Sequence, residues 1–93
     1  MPNSVDTSYE GVLAKIFEYL DENLVEKPTA PISAGSHLIR DLRLDSLQSF
    51  EMVSDLEDHF GITMPMELFQ SVETVEDVAR AVVGVIVRER GEA

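Results

Sequence analysis

The sequence predicts a small all-α protein, a four-helix bundle with three main helices and one short helix. Three observations support this. The 93 residues leave room for a single domain, residues 1–93, with one core. Apolar residues recur at helical spacing, and residues typical of helix starts precede those segments. The chain also has no cysteine, so no disulfide or thiolate metal site can support the fold. Well-packed helices are therefore the expected source of stability.

The first helix is predicted from about Thr7 to Leu24. Thr7 and Glu10 have the spacing of a capping box. Apolar side chains follow at helical intervals: Leu13, Ile16, Phe17, Leu20 and Leu24. A long loop is expected next, at about residues 25–44, because two prolines and a glycine interrupt any long helix: Pro28, Pro31 and Gly35. Long ordered loops in small domains are often tied to function.

The second helix is predicted to begin at Asp45 or Ser46 and to stop at Gly61, which suits the left-handed position after a helix. Asp45 can cap the first turn, with Gln48 as its reciprocal partner. On a helical wheel, one side gathers the apolar residues Phe50, Val53, Leu56 and Phe60. The opposite side gathers Gln48, Glu51, Asp55 and Asp58. This helix should therefore bury one face and expose an acidic one.

Pro65 can open a short third helix, "PMELFQ". Thr74 and Asp77 have capping spacing for a fourth helix, whose apolar face is Val75, Val78, Ala79, Val82 and Ile86. Its end is rich in valine and contains Gly84, so a strand is the competing interpretation. The cap and the 3.6-residue spacing favour a helix. A C-terminal tail is expected at about residues 89–93.

The charge distribution indicates a protein partner rather than nucleic acid. Seven Lys and Arg residues face 18 Asp and Glu residues, a formal net charge of −11. Between Arg43 and Arg80 there are nine acids and no Lys or Arg. Such a field repels nucleic acid and anionic membranes and favours basic protein surfaces. No leader is recognised, and the longest apolar run, residues 81–87, is too short to span a bilayer. We expect a cytoplasmic monomer.

The candidate site is the "DSL" tripeptide, Asp45 to Leu47. Serine is common in first turns because it hydrogen-bonds backbone N–H groups. A first-turn hydroxyl also protrudes, and a helix N-terminus stabilises an attached phosphate. Leu47 falls among the acids of the wheel, where an exposed apolar residue can anchor a partner. Glu57 falls toward the apolar arc, and the sequence does not show how it escapes burial.

Competing chemistries fail on residue type and spacing. As a calcium loop starting at Asp41, the stretch has Arg43 at a ligand position, Ser46 at the required glycine and Met52 at the required glutamate. The two histidines, His37 and His59, are single and widely spaced, and surface positions are expected for them. No metal site or self-contained catalytic site is predicted.

The stretch "DLRLDSLQSFEMVSDLEDHFGITMP" resembles the core of the acyl carrier proteins, whose hallmark is Asp-Ser-Leu at the start of the second helix. The resemblance extends to "VETVEDVARAV". It implies that Ser46 carries 4′-phosphopantetheine, transferred from coenzyme A by a separate phosphopantetheinyl transferase with Mg²⁺. The thiol of the arm would hold acyl intermediates as thioesters. The chain would be a non-catalytic carrier in fatty acid, lipid or polyketide-type biosynthesis.

The resemblance also implies partners and site residues. The partners would be the phosphopantetheinyl transferase, an acyl-ACP synthetase or transferase (ACP, acyl carrier protein), and a ketoacyl synthase and related enzymes with basic patches. The residues expected near the prosthetic group are Ser46, Asp45, Leu47 and Arg43. The expected partner surface, from the resemblance and the wheel together, is Leu47, Gln48, Glu51, Asp55, Glu57, Asp58 and Met66. Core or acyl-pocket positions of the family correspond to Val53, Leu56, Ile62 and Ala79, for which a plain core role fits equally well.

This chain departs from the family pattern at three places. Arg43 stands where the family usually has glycine, which places a cation close to the expected phosphate. The third helix is apolar rather than acidic, with Met66, Leu68 and Phe69, and Ser54 replaces a common apolar residue. These departures leave the carrier role intact and leave open whether the chain is the housekeeping carrier for fatty acids or a specialised one. A peptidyl or aminoacyl carrier stays open as a variant, and an unmodified acidic adaptor stays open as a different class.

Overall fold

The structure is a computed structural model that describes residues 6–24, 28 and 31–90. Its helices are α1 (Tyr9–Asn23), α2 (Ser46–Phe60), α3 (Met66–Ser71) and α4 (Val75–Arg90). Within these ranges, the only strand-like pairing is an isolated antiparallel bridge between His37 and Thr74. The predicted all-α bundle is confirmed, and the valine-rich fourth segment is a helix. None of the described helices is long and apolar enough to cross a membrane.

The N-terminus of α1 is capped by Ser8. The Ser8 hydroxyl accepts the N–H of Gly11 at 3.1 Å. The Asp6 carboxylate accepts both the N–H and the hydroxyl of Ser8, at 3.0 and 2.6 Å, and so holds Ser8 in the cap position. The predicted capping box of Thr7 and Glu10 is therefore wrong by one residue at the cap.

The predicted bounds of α2 are confirmed. The Asp45 carboxylate accepts the Gln48 N–H at 2.8 Å, and the Gln48 side-chain oxygen accepts the Asp45 N–H at 3.1 Å, which is a complete capping box. At the other end, Gly61 has φ 68° and ψ 40°, and its N–H donates to the Glu57 carbonyl at 2.8 Å. Glycine takes this left-handed conformation without steric cost.

The core lies between the three long helices. Their buried apolar residues are Val12, Ile16, Leu20, Met52, Val53, Leu56, Phe60, Val75, Val78, Ala79, Val82, Val85 and Ile86. The segments that flank α2 add Leu38, Leu42, Leu44, Ile62 and Met64. The four residues assigned to core or acyl-pocket positions are thus all buried. One prediction is wrong: Phe50 is 53% exposed, because Met52 and Ser49, rather than Phe50, complete the buried face.

The loop before α2 is tied to the start of α4. Three backbone hydrogen bonds accompany the bridge described above: Leu38 N–H to the Glu73 carbonyl (2.9 Å), Val75 N–H to the Ser36 carbonyl (3.0 Å) and Glu76 N–H to the Ala34 carbonyl (2.8 Å). The Ser36 hydroxyl, which is buried, accepts the Ser33 N–H at 2.9 Å. The segment that leads to Ser46 is therefore fixed to the body of the protein.

The short α3 follows Pro65, as predicted, and none of its residues is fully buried. Thr74 and Asp77 form the predicted cap of α4: each backbone N–H donates to the other side chain at 3.1 Å. α4 continues to Arg90, so the first two residues of the predicted tail are helical. Residues 91–93 and parts of the long loop, residues 25–27 and 29–30, lie outside the described residues.

Candidate functional site

Ser46 is the first residue of α2, and it is exposed. The first N–H groups of a helix have no acceptor within the helix. The Asp45 carboxylate takes the N–H of Gln48, which leaves those of Ser46 and Leu47 at the positive end of the helix dipole. A phosphate joined to the Ser46 hydroxyl fits this position, because it would meet N–H donors and a favourable dipole. The residues present therefore suit a phosphodiester-linked group.

Arg43 has the left-handed backbone conformation, with φ 59°. Its neighbours Leu42 and Leu44 are both buried, while Arg43 itself is exposed. Its N–H donates to the Ile39 carbonyl, and the Leu44 N–H donates to the Leu38 carbonyl, both at 3.0 Å. This turn needs a positive φ to bury both leucines, which gives a physical reason for glycine at this position in the resembled family.

His37 has a structural role in the same turn. Its ring nitrogen Nδ1 accepts the N–H groups of Ile39 and Arg40, at 3.2 and 3.1 Å. The Asp41 carboxylate accepts the His37 N–H at 2.7 Å. His37 is partly exposed, which agrees with the expected surface position. These bonds hold the turn closed from inside and leave the Ile39 side chain 61% exposed.

The outer face of α2, opposite the core, carries Leu47, Glu51, Ser54 and Asp58. All four are exposed, and Leu47 is 64% exposed. This is where the wheel placed Leu47 and two of the acids. Leu47 directly follows Ser46, so an apolar side chain with acidic neighbours adjoins the serine.

On the flank of α2 that faces α1, a lysine of α1 offsets part of the negative charge of the α2 acids. Lys15 of α1 pairs with Glu18 at 3.1 Å. That hydrogen bond raises the pKa of Lys15, and the negative charge of Asp55 adds to the effect. Tyr19 also lies here: burial raises its pKa, and the charges of Glu51 and Asp55 raise it further. Lys15 and Tyr19 could not be placed here from the sequence, because their approach to α2 depends on how α1 packs.

The flank of α2 that faces α3 is aromatic. The Phe50 ring meets the Phe69 ring edge to face, with centroids 6.2 Å apart and planes at 79°. Met66 of α3, a predicted partner residue, is 56% exposed. Phe50 was predicted to be buried, and its exposed position on the same side of α2 as Ser46 was missed. Its signal was its position one helical turn after Ser46, which places both on the same side of α2.

Glu57 differs from the other predicted partner acids. Its side-chain oxygen Oε2 accepts the Met64 N–H at 2.6 Å, and the residue is half-buried. This bond explains how an acid near the apolar arc avoids an uncompensated burial. Glu57 therefore closes the segment after α2, and its carboxylate is less open to a partner than those of Glu51 and Asp58.

Comparison with known proteins identifies the family. A family model described as "Phosphopantetheine attachment site" matches residues 16–82. The chain is 41% identical over 69 residues to an acyl carrier protein of Exiguobacterium sp. (74% of this chain, 86% of that protein). It is 32% identical over 77 residues to an acyl carrier protein of Saccharopolyspora erythraea (80% and 81%).

A third relative is matched over a shorter stretch. It is a probable acyl carrier protein of Caulobacter vibrioides, 39% identical over 51 residues, which cover 55% of this chain and 59% of that protein. The other two alignments extend over most of both chains, and the family model spans α2, α3 and the N-terminal half of α4 together with part of α1. The chain therefore belongs to the acyl carrier protein family, which implies a covalently attached 4′-phosphopantetheine group.

Proposed function

We propose that Ser46 is the attachment point and that this chain carries acyl intermediates without catalysing their conversion. In the loading reaction, the Ser46 oxygen forms a bond to the pantetheine-bearing phosphorus of coenzyme A. The pyrophosphate bond breaks, adenosine 3′,5′-bisphosphate leaves, and the hydroxyl proton passes to a base on the transferase or to water. The arm then supplies the thiol that holds the acyl group. The observation that carries this proposal is the exposed Ser46 hydroxyl at a capped, positive helix end.

Loading by a broad-specificity phosphopantetheinyl transferase tests the attachment point. With coenzyme A and Mg²⁺, the wild type should gain the mass of one phosphopantetheinyl group, and Ser46→Ala should gain none. Ser33→Ala is the matched control, because Ser33 is an exposed serine outside α2 and should load normally. Modification of Ser46→Ala would move the site elsewhere. A wild type that stays unmodified would favour an acidic adaptor.

We further propose that partner enzymes dock on the outer face of α2. Leu47 would enter an apolar pocket of the partner, and Glu51, Asp58 and, from the flank, Gln48 and Asp55 would meet basic residues. Exposed ion pairs of this kind contribute about 1 kcal/mol or less each. Their joint effect should appear in the association rate and its salt dependence. The contact of Leu47 is apolar, so salt should not weaken it.

Loading rates at low and high salt test the docking surface. Glu51→Lys with Asp58→Lys should slow the transferase strongly at low salt and less at high salt, whereas Leu47→Ala should slow it at both. Glu10→Lys with Glu73→Lys makes the same change in net charge at exposed positions away from α2 and should have a small effect. Circular dichroism checks that each variant is helical. An unchanged rate for the α2 pair at low salt would direct the search to Met66 and Phe69.

The Arg43 side chain is proposed to lie against the phosphodiester, since its guanidinium is exposed three residues before Ser46. Arg43→Lys keeps the charge and the backbone strain but removes the bidentate donor. If the contact forms, this substitution should shift amide resonances near Ser46 more in the loaded than in the unloaded protein. Equal shifts in both forms would show that Arg43 acts on the turn alone.

The pathway is proposed to be fatty acid, lipid or polyketide-type biosynthesis in the cytoplasm. The apolar surface of α3, with Met66 exposed, supports a specialised set of synthases and acyltransferases rather than the general one. Intact mass of the protein isolated from its host would identify the attached chain. An aminoacyl adduct would contradict the acyl assignment and indicate a peptidyl-type carrier.

A further inference from the structure

The segment that leads to Ser46 begins with a capped helical turn. Its cap is His37, whose ring nitrogen Nδ1 accepts the N–H groups of Ile39 and Arg40 at 3.2 and 3.1 Å. The His37 carbonyl accepts two further N–H groups of the same turn, both at 3.0 Å. A side chain that accepts the free N–H groups at the start of a helical turn acts as an N-cap. His37 therefore does for this turn what Asp45 does for α2.

Histidine is an unusual residue for such a cap, since serine, threonine, aspartate and asparagine are preferred. Its Nδ1 stands at the same place along the side chain as the oxygen of asparagine, so it can reach the same N–H groups. The ring nitrogen accepts only in the neutral ring with its proton on Nε2, because both nitrogens donate once the ring is protonated. A protonated His37 would direct an N–H at the N–H groups of Ile39 and Arg40. The cap therefore works only while the ring is neutral.

The path of the chain into α2 depends on this turn. The Leu44 N–H donates to the Leu38 carbonyl at 3.0 Å, which closes residues 38–44 into one loop. Both leucines are buried in the core, and Ser46 follows only two residues after Leu44. The two N–H groups that His37 holds lie between these leucines. Loss of the cap therefore loosens the segment just before Ser46.

Most charged groups on the segments in contact with His37 are acids. Its own turn contributes the Asp41 carboxylate, which accepts the His37 N–H at 2.7 Å, and the Arg40 side chain. The segment that pairs with His37 through Thr74 contributes Glu73, Glu76 and Asp77. All of these groups remain when His37 alone is replaced. A pH effect that they cause therefore appears equally in the wild type and in a His37 variant.

We propose that His37 is a positioning residue for the loading of Ser46 and that it acts only while its ring is neutral. The proposal rests on the proposed attachment point. With the neutral ring, the cap holds residues 38–44 closed, and the Ser46 hydroxyl is presented at a fixed position. With the protonated ring, the turn opens and the transferase meets Ser46 in a wider range of positions, so loading slows. Loading of this carrier would thus depend on the pH around it.

Amide exchange in the unloaded protein tests the cap itself. His37→Asn is the conservative variant, because the asparagine oxygen accepts the same N–H groups and does not titrate; His37→Ala has no acceptor. At about pH 8, above the usual titration range of imidazole, the Ile39 and Arg40 amides should exchange alike in the wild type and His37→Asn. In His37→Ala they should exchange on the order of tenfold faster. Below the midpoint of the His37 ring titration, followed at its Hε1 resonance, the wild type should exchange like His37→Ala.

Loading rates with the transferase, coenzyme A and Mg²⁺ test the positioning role. The ratio of the wild-type rate to the His37→Asn rate removes the pH dependence of the transferase. This ratio should be near one at about pH 8 and fall severalfold below the titration midpoint, to the value that His37→Ala gives at every pH. The matched control is His59→Asn, which removes the exposed histidine in the last turn of α2 and should keep the pH dependence of the wild type.

The outcomes separate this proposal from the attachment proposal. A ratio of wild type to His37→Asn that is constant with pH in both measurements would overturn it, and so would wild-type loading by His37→Ala. Exchange that changes as expected while the loading ratio stays constant would show that the cap opens without moving Ser46; the positioning role would fall and the attachment point would stand. Failure of the wild type to load at any pH would overturn the attachment point and, with it, the role of His37 in loading.

Discussion

Replacement of Arg43 by glycine should stabilise the protein. Arg43 has φ 59°, and an L-residue in the left-handed region costs roughly 1–2 kcal/mol because Cβ crowds the following carbonyl. Glycine removes that crowding but loses about 0.5–1 kcal/mol more backbone entropy on folding. The net gain expected for Arg43→Gly is therefore about 0.5–1 kcal/mol relative to Arg43→Ala, which keeps Cβ and removes only the guanidinium.

Urea unfolding followed by circular dichroism at 222 nm measures this difference. A thermal scan should agree, since about 1 kcal/mol corresponds to roughly 4–8 °C in Tm for a domain of this size. Gly84 gives an internal control of opposite sign: it lies inside α4, and a Cβ added there meets nothing within 4 Å. Gly84→Ala should therefore stabilise by about 1 kcal/mol.

The difference in stability between Arg43→Gly and Arg43→Ala tests whether Cβ at position 43 strains the turn. If Arg43→Gly is no more stable than Arg43→Ala while Gly84→Ala behaves as expected, the positive φ at residue 43 does not strain the turn through Cβ. If both Arg43 variants lose stability equally, the guanidinium itself stabilises the apo protein.

Three further predictions concern single contacts. Glu57→Ala leaves the Met64 N–H without its acceptor and should cost about 1–3 kcal/mol in urea unfolding, whereas Glu57→Gln keeps an acceptor and should cost less; equal losses would contradict this. The Asp77 carboxylate accepts the N–H of Glu73, which lowers its pKa below 3.8. The stabilisation that the ionised Asp77 gives to the folded protein should therefore be complete above pH 3.8 and fade as the pH falls through the lower folded pKa. The difference in urea midpoint between the wild type and Asp77→Ala should shrink on acidification, and a constant difference from pH 6 to pH 2 would oppose it. Phe50→Ala removes the edge contact with Phe69 and should speed amide exchange in α3 but not in α4; unchanged exchange in α3 would mean that the ring pair does not hold it.

Helix positions were predictable where a single local pattern decided them. The caps expected from three-residue spacing formed at Asp45 with Gln48 and at Thr74 with Asp77. Each capping side chain bonds to a backbone N–H only three residues away, so the contact does not depend on the rest of the fold. The cap of α1 was predicted one residue early. Thr7 and Ser8 are both good caps, and the choice depends on Asp6, whose carboxylate holds Ser8. No periodic pattern in the sequence indicates that contact.

The boundary of the buried face of α2 was less predictable than its centre. The wheel gave Val53, Leu56 and Phe60 correctly, but it also gave Phe50, which lies at the edge where α3 determines exposure. The family resemblance supplied Ser46, whereas Lys15 and Tyr19, the α1 residues close to the acids of α2, came only from the packing of two helices. Residues distant in sequence could not be assigned to the site without the fold.

The chain is held in place on both sides of the short α3 by contacts that do not involve α3. Before α3, the Glu57 carboxylate holds the Met64 N–H; after it, the cap at Thr74 and the bridge to His37 hold the chain. None of the six residues of α3 is fully buried. We therefore expect residues 66–71 to tolerate exchange without loss of the three-helix core, provided that the contacts of Leu68 and Phe69 with it are kept. Grafting these six residues between related carriers offers a direct way to engineer pathway crosstalk.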